Sequence, residues 1–413
     1  MPYEDWRVAS ERPVHAGGIR MLGSVLIALS LAQSAPAAAS DRRPIVITGT
    51  PMSVTQRNLA ECLRRRCPPD EDINAAIAHA ENLFVAGDYE DARGVLFDAI
   101  ARNKAHGRQY PVEVSDLYRS TARVAAHLGE GDRYRSASFA MRRTLKAGLP
   151  DSDPRVVASL FDLAQMHASL GDAAESWASY RAAEKQARAI GRRDIAAAAR
   201  MRRAWLGHQM GDTRFARREL QALAADPDPV VRTSRIGALV LLGQIDRQAG
   251  KEGDTDALIA ELRAAKLTRP VLLFAPPLEL PNRRALPGAR IGNMTDSVPI
   301  GTPLRLLPTD NFEDRWVDVG FWVEPSGRVS DVEVLREGSD SSWSAPVLKS
   351  IRGRIYAPLA DPAGSYRVER YTYTSLWHYV TGTRLRQRRP NGRIEFLDLT
   401  AEPSDQASAS PRT

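Results

Sequence analysis

A glycine followed by polar residues recurs along the middle of the chain, at Gly87, Gly129, Gly171, Gly211 and Gly250, with gaps of 42, 42, 40 and 39 residues. Each closes an amphipathic run: "FVAGDYEDA", "HLGEGDRYRSA", "SLGDAAESW", "QMGDTRFA" and "RQAGKEGDTDA". A fixed period near 40 with a turn in every unit predicts stacked helical hairpins, because one hairpin cannot bury its apolar face alone. Glycine suits the turn, where a helix ends in a left-handed residue before the chain reverses. The array is expected over residues 72–268.

The first unit, "AIAHAENLFVAGDYEDARGVLFDAIARN", resembles a tetratricopeptide repeat. Ala80 stands where the two helices touch, Gly87 and Tyr89 make the turn, Ala92 packs on the first helix, and Ala99 is the small residue of the second. Ala216 keeps the small position after its turn, and Ser136 and Ser176 replace it in other units. The period exceeds the family's 34 residues, so helices about a turn longer are expected. The resemblance covers roughly half the chain. It implies a groove lined by the first helix of each pair, with Asn74, Ile77, Glu81 and Phe84 facing it in the first unit.

The N-terminus carries "MLGSVLIALSLAQSAPAAAS", Met21 to Ser40, with Arg20 before it, an apolar core from Met21 to Ala32, and an A-x-A ending at Ala39. These are the three parts of a secretory signal peptide, and the core is shorter than the ~20 residues a bilayer needs. Residues 1–39 are read as signal peptide with an acidic N-terminal extension. The expectation is an exported, periplasmic protein starting near Ser40.

Residues 40–71 form a lead-in holding both cysteines, in "ECLRRRCPPD". Inside a continuous helix, positions five apart leave Cα atoms about 8–9 Å apart, too far for a bridge. Pro68 and Pro69 break the helix, so the chain can turn back, and an oxidising compartment favours a Cys62–Cys67 disulfide. A metal site would need two further ligands nearby, and the spacing is not the C-x-x-C of redox proteins.

Beyond the array, residues 269–309 hold eight prolines, which no helix can run through. The pieces "VLLF" and "LRLL" read as extended chain laid on a neighbour. Then "WVDVGFWVEPSGRVSDVEVLREG" alternates Val317, Val319, Phe321 and Val323 with Asp318, Gly320, Trp322 and Glu324, which is a strand with one core face. "EPSGR" is a hairpin loop, "VSDVEVLR" returns, and "WSAPVLKSIRGRI" presents Val347, Leu348 and Ile351 on one face of a short helix. "YRVERYTYTSLWHYV" reads as one long strand with Tyr371, Tyr373, Trp377 and Tyr379 on one face.

Strand, "PSGRV" turn, strand, helix and strand over residues 310–380 resemble the TonB C-terminal domain. The matching positions are Val323, Gly327, Val329, Val332 and Val334, then Tyr356, Ala357 and Pro358. These are structural in that family, so no catalytic site is carried over. The resemblance implies a peptide taken up along a strand edge, with Tyr371, Tyr373, Trp377 and Tyr379 as partner-binding candidates. Whether that strand is an open edge or is covered by "VLLFAPPLEL" stays undecided by the sequence. Residues 381–413 read as a polar tail, disordered over its last dozen positions.

The seven histidines form no H-E-x-x-H, although His127, His167 and His208 recur near the repeat period. There is no G-x-S-x-G and no phosphate-cradling G-x-x-x-x-G-K-[ST]. Asp151 with Asp153, and Asp226 with Asp228, flank prolines and read as caps. No catalytic residue, cofactor or metal is expected. Of 57 basic residues only six are lysine, and the arginines are interspersed with 50 acids, which reads as solvated helix faces rather than nucleic-acid binding.

The expected fold class is α+β: an α-helical repeat solenoid of tetratricopeptide-like hairpins with a small C-terminal antiparallel β-sheet plus helix domain. The expected function is an exported, non-catalytic scaffold for a protein or peptide partner in the periplasm, associated with membranes only through partners. An accessory role in TonB-dependent outer-membrane transport, with an outer-membrane receptor as partner, is the alternative.

Overall fold

The computed structural model describes residues 50–251, 258–259, 261–262, 270–278, 312–359, 361–379, 384–389 and 392–400. The signal-peptide segment, most of the proline-rich connector and residues 401–413 lie outside these. Ten α-helices run from α1 (Met52–Arg65) through α2 (Pro69–Ala86), α3 (Tyr89–Asn103), α4 (Pro111–His127), α5 (Gly131–Gly148), α6 (Pro154–Ser169), α7 (Ala173–Ala189), α8 (Arg193–Gln209) and α9 (Thr213–Ala224) to α10 (Arg232–Gln248). From α2 onward they pair as antiparallel hairpins, α2/α3 to α8/α9, and α10 packs against α9 and α8. Proline occupies the first turn of α2, α4 and α6, where a missing N–H costs nothing. Asp153 and Asp228 cap the segments that follow them by accepting the N–H of Arg155 and Val230.

All five periodic glycines have positive φ, from 70° to 98°. Ala80, Ala92, Ala99, Ser176 and Ala216 are all buried. The second hairpin departs from expectation. Ser136 is exposed, and the position five residues after the turn glycine is Tyr134, where the other hairpins have Ala92, Ser176 and Ala216. A bulky side chain thus enters at a point otherwise reserved for close helix packing.

Helix α1 ends at Arg66 in the left-handed region (φ 54°), the Cys67 N–H returns to the Cys62 carbonyl, and Cys62 and Cys67 are disulfide-bonded with Cα atoms 5.1 Å apart. The helix packs on α2 through Leu59 and through Thr55, which contacts His79 Nδ1 at 3.3 Å and accepts from Asn82.

The C-terminal sheet has the order β3-β2-β5-β8 and is antiparallel throughout, with β2 at Trp316–Val323, β3 at Val329–Glu337, β5 at Ser365–Thr374 and β8 at Arg393–Asp398. Helix α11 (Ala345–Arg352) lies on one face, where Val347 and Ile351 join Val317, Val319, Phe321, Val323, Tyr371 and Tyr373 in a core. The hairpin loop has Gly327 at φ 82°, and a Cβ there would lie 2.1 Å from the Tyr356 carbonyl oxygen. Segment 271–278 is extended: β1 (Leu272–Phe274) pairs with β4 (Ile355–Tyr356), and Val271 and Leu273 pack on Ile236 and Val240 of α10.

Several sequence expectations change here. The stretch read as one long strand breaks at Ser375 and Leu376 into β5 and β6 (Trp377–Tyr379), and β6 pairs with β7 (Arg386–Arg388) in a separate ribbon. The sheet does not end at residue 380, because β8 lies in the stretch read as a polar tail. Strand β5 is not an edge. It is hydrogen-bonded to β2 on one side and β8 on the other, and its Tyr371 and Tyr373 are core residues about 5% exposed. Nor does β2 have only one buried face: Asp318 is fully buried, because that face lies against the helical array.

Candidate partner-binding surface

The array-facing side of the sheet is built from alternate residues of β2 and β5, with Trp316 opposite Thr372 and Asp318 opposite Arg370. The Arg370 guanidinium is fully buried. It donates to both oxygens of Asp318 (2.6 and 2.9 Å) and to the carbonyls of Phe84 (2.6 Å) and Val85 (2.7 Å), at the C-terminal end of α2. Two further arginines repeat the device. Arg388 donates to the Leu128 carbonyl at the end of α4 (2.9 Å), and Arg393 to the Ser169 carbonyl at the end of α6 (2.8 Å). The last carbonyls of a helix have no intrahelical donor and carry the negative end of its dipole, so a cation is the favoured partner. One arginine per hairpin thus binds the array's first three turns to the C-terminal strands, Arg370 and Arg393 from the four-stranded sheet and Arg388 from the β6–β7 ribbon.

Apolar and polar contacts complete the seam. The Trp316 ring lies over Gly87 and under Arg370, 4.0 Å from the guanidinium carbon to the ring centroid. The Trp377 N–H donates to the Gly129 carbonyl (3.0 Å). Thr372 Oγ1 meets Tyr89 Oη at 3.0 Å and His127 Nδ1 at 2.8 Å. Burial, with Arg370, Arg123 and Arg393 nearby, pushes the His127 imidazole down to about 3, so it is neutral at pH 7. Tyr134 is pushed up to about 12 by burial, with Arg393 opposing, and burial brings Arg393 down to about 10, still charged at neutral pH.

Where β8 passes the array, a cavity of about 210 Å³ opens between α2, α4 and the strand end. Ala80, Phe84, Val85, Val124, Leu397 and Leu399 give it apolar walls, and Glu81, Arg123 and Asp398 give it charge. Small-molecule pockets run to roughly 300–1,000 Å³, so this volume suits one or two anchoring side chains of a larger partner. Its charged side continues along the first helices. Arg123 faces Glu81 at 4.0 Å and Arg119 faces Asp162 at 3.5 Å, each pair bridging neighbouring first helices. Burial pushes the Asp162 carboxyl up, with Arg119 opposing.

Of the residues singled out in the sequence, Glu81 and Phe84 line this cavity, although the Phe84 ring is buried against Tyr89 and His127 rather than presented to a partner. Asn74 is exposed nearer the start of α2, and Ile77 packs against the array core. Tyr371 and Tyr373 cannot meet a partner, since the sheet core encloses them. Trp377 and Tyr379 lie on the separate ribbon, and Tyr379 is 58% exposed. Arg123, Asp162 and the three capping arginines were not singled out. The repeat offset of 42 carries Glu81 onto Arg123 and was a usable signal; nothing local marks Arg370, Arg388 or Arg393.

Fold and surface together define an α+β protein in which a helical-hairpin repeat array is closed at its first three turns by its own C-terminal sheet. No family model matches the sequence, and no curated protein matches it. Among solved structures, the chain is similar to a Podosopora anserina kinesin light chain protein with nearly identical TPR-like repeats, at 16% identity over 48% of this chain and 95% of that one, TM-score 0.38. It is also similar to BtubC (BKLC) from P. vanneervenii, at 16% identity over 52% of this chain and 88% of that one, TM-score 0.41.

Proposed function

We propose that the chain is a non-catalytic protein-binding scaffold of the cell envelope, exported by the segment at residues 21–39, with recognition centred where α2, α4 and β8 meet. The observation that carries this reading is the junction cavity. Its apolar walls and opposed charges suit a peptide side chain and its flanking polar groups, and its volume is small for a metabolite. The tetratricopeptide-like pattern of the first hairpin supports a protein partner. The TonB-like order of hairpin, helix and strand supports the alternative of an accessory to outer-membrane transport.

The test is a crosslinking pull-down from cell envelopes with the intact mature chain, compared with Arg123→Glu and Leu399→Asp. Loss of the same partners in both variants, with unchanged thermal melting, is the expected result. Partners retained by both place recognition elsewhere. Recovery of an outer-membrane receptor moves the transport reading to the front. N-terminal sequencing of the recovered protein tests export: a start near Ser40 supports it, and an intact Met21–Ala39 segment sinks it.

A further inference from the structure

The ribbon of β6 and β7 takes no part in the four-stranded sheet. Its base is fixed to the array, through the Trp377 N–H on Gly129 and Arg388 on Leu128. From there exposure rises outward on both strands. Trp377 and His378 are half-buried and Tyr379 is 58% exposed; Arg388 and Gln387 are half-buried, and Arg386, Leu385 (62%) and Arg384 are exposed. Among the described residues of the ribbon, those farthest from its base are thus the most exposed.

Its charge is one-sided. From Tyr371 to Ile394 the sequence holds five arginines and no aspartate or glutamate. Elsewhere the surface arginines are widely paired, as with Arg135 and Asp172, Arg193 and Asp228, or Arg217 and Asp246. Among the described residues, no carboxylate pairs with Arg384, Arg386 or Arg389. The aromatic rings lie among these cations, with Arg386 (5.4 Å) and Arg388 (4.5 Å) over Trp377 and Arg386 (5.8 Å) over Tyr379.

We infer that this ribbon is a contact site for an anionic phospholipid surface, with Arg384, Arg386 and Arg389 meeting headgroup phosphates and Tyr379 and Leu385 entering the interfacial layer. Arginines beside exposed aromatic and aliphatic side chains match the two demands of that surface, negative charge outside and apolar depth within. A single-stranded nucleic acid would stack its bases on open ring faces, and here Arg386 and Arg388 already lie over the Trp377 ring and Arg386 over that of Tyr379. The ribbon would thus give the protein a membrane contact of its own, in addition to any association through partners.

The experiment is co-sedimentation of the intact mature chain with phosphatidylglycerol–phosphatidylcholine vesicles and with phosphatidylcholine vesicles, over a range of salt. Binding to the anionic vesicles alone, weakening as salt rises, is expected. The triple variant Arg384→Ser, Arg386→Ser, Arg389→Ser should bind at least about tenfold more weakly, since each basic residue near such a surface contributes measurably. Tyr379→Ser should weaken binding while keeping its salt dependence. A control triple with the same charge loss, Arg57→Ser, Arg181→Ser and Arg214→Ser, should bind like the parent. The inference is overturned if the control triple loses as much, if neither vesicle binds, or if the ribbon triple loses binding to a single-stranded oligonucleotide but not to vesicles.

Discussion

Arg370 and Asp318 face each other across β5 and β2, both with no measurable solvent exposure, joined by two hydrogen bonds of 2.6 and 2.9 Å. Its two remaining hydrogen bonds go to α2, so this one side chain holds two strands and a helix end together. Removing one partner of a buried pair leaves the other charge unpaired and costs about 3–5 kcal/mol. Arg370→Ala leaves Asp318 with Arg336 as a partner but strips the Phe84 and Val85 carbonyls of their donor, so it is expected to destabilise the chain by the lower end of that range, about 3 kcal/mol. Arg336→Ala, which removes a half-exposed second partner of Asp318, should cost below about 1 kcal/mol. Denaturant melts of the two variants check this, and equal losses would contradict it.

The turn glycines separate the docked end of the array from the open end. A Cβ on Gly129 would stand 2.0 Å from the Ser375 carbonyl oxygen, whereas on Gly211 it would meet nothing within 4 Å. Both have positive φ, so alanine strains the backbone at either site. Overpacking adds at Gly129, and Gly129→Ala should cost about 1–3 kcal/mol more than Gly211→Ala. Thermal denaturation of the pair measures the difference.

His127 gives the seam a pH dependence. Its folded-state value lies near 3 against an unfolded 6.5, so between the two the unfolded chain binds a proton that the folded chain refuses. The stabilisation is complete above about pH 6.5 and is lost as pH falls toward 3, at about 1.4 kcal/mol per pH unit. Comparing the parent with His127→Gln isolates this contribution from that of the carboxylates. The parent should lose about 2 kcal/mol more than the variant between pH 7.5 and pH 5. Parallel curves would show that the imidazole does not titrate in this way.

The Cys62–Cys67 bridge closes a short loop at the entry to the array. Thiol labelling of the denatured protein should rise by two groups per chain only after reduction. For a loop of this length the bridge contributes about 2 kcal/mol, so Cys62→Ser with Cys67→Ser should lower stability by about that much. Labelling of the unreduced chain would rule the bridge out.

Much of the architecture was legible in the residues. The glycine spacing located the hairpin turns at Gly87 through Gly211 and the end of α10 at Gly250, and the alternation of Val317, Val319, Phe321 and Val323 located β2 and its core face. The opposite face was not legible, because Asp318 and Gly320 look like solvent positions until Arg370, 52 residues away, supplies the counter-charge. Strand β8 was hidden for a related reason. Arg393, Glu395 and Asp398 make "RIEFLD" look like a polar tail, yet Arg393 is directed at a helix carbonyl and Leu397 packs against the array. Residues whose partners lie hundreds of positions away carry no local pattern. The candidate cavity shares this property, since two of its walls come from the start of the array and the third from the last strand.

The three capping arginines follow the carbonyls they bind by 286, 260 and 224 residues. At synthesis rates of roughly 5–20 residues per second, the first hairpin waits on the order of fifteen seconds to a minute before Arg370 exists. During that interval the ends of α2, α4 and α6 and the faces of Phe84 and Tyr89 have no sheet over them. Contacts this distant in sequence also form slowly, because a large loop must close before they stabilise anything. A chain truncated before Arg370 would therefore hold every repeat helix and none of the three arginines that cap α2, α4 and α6.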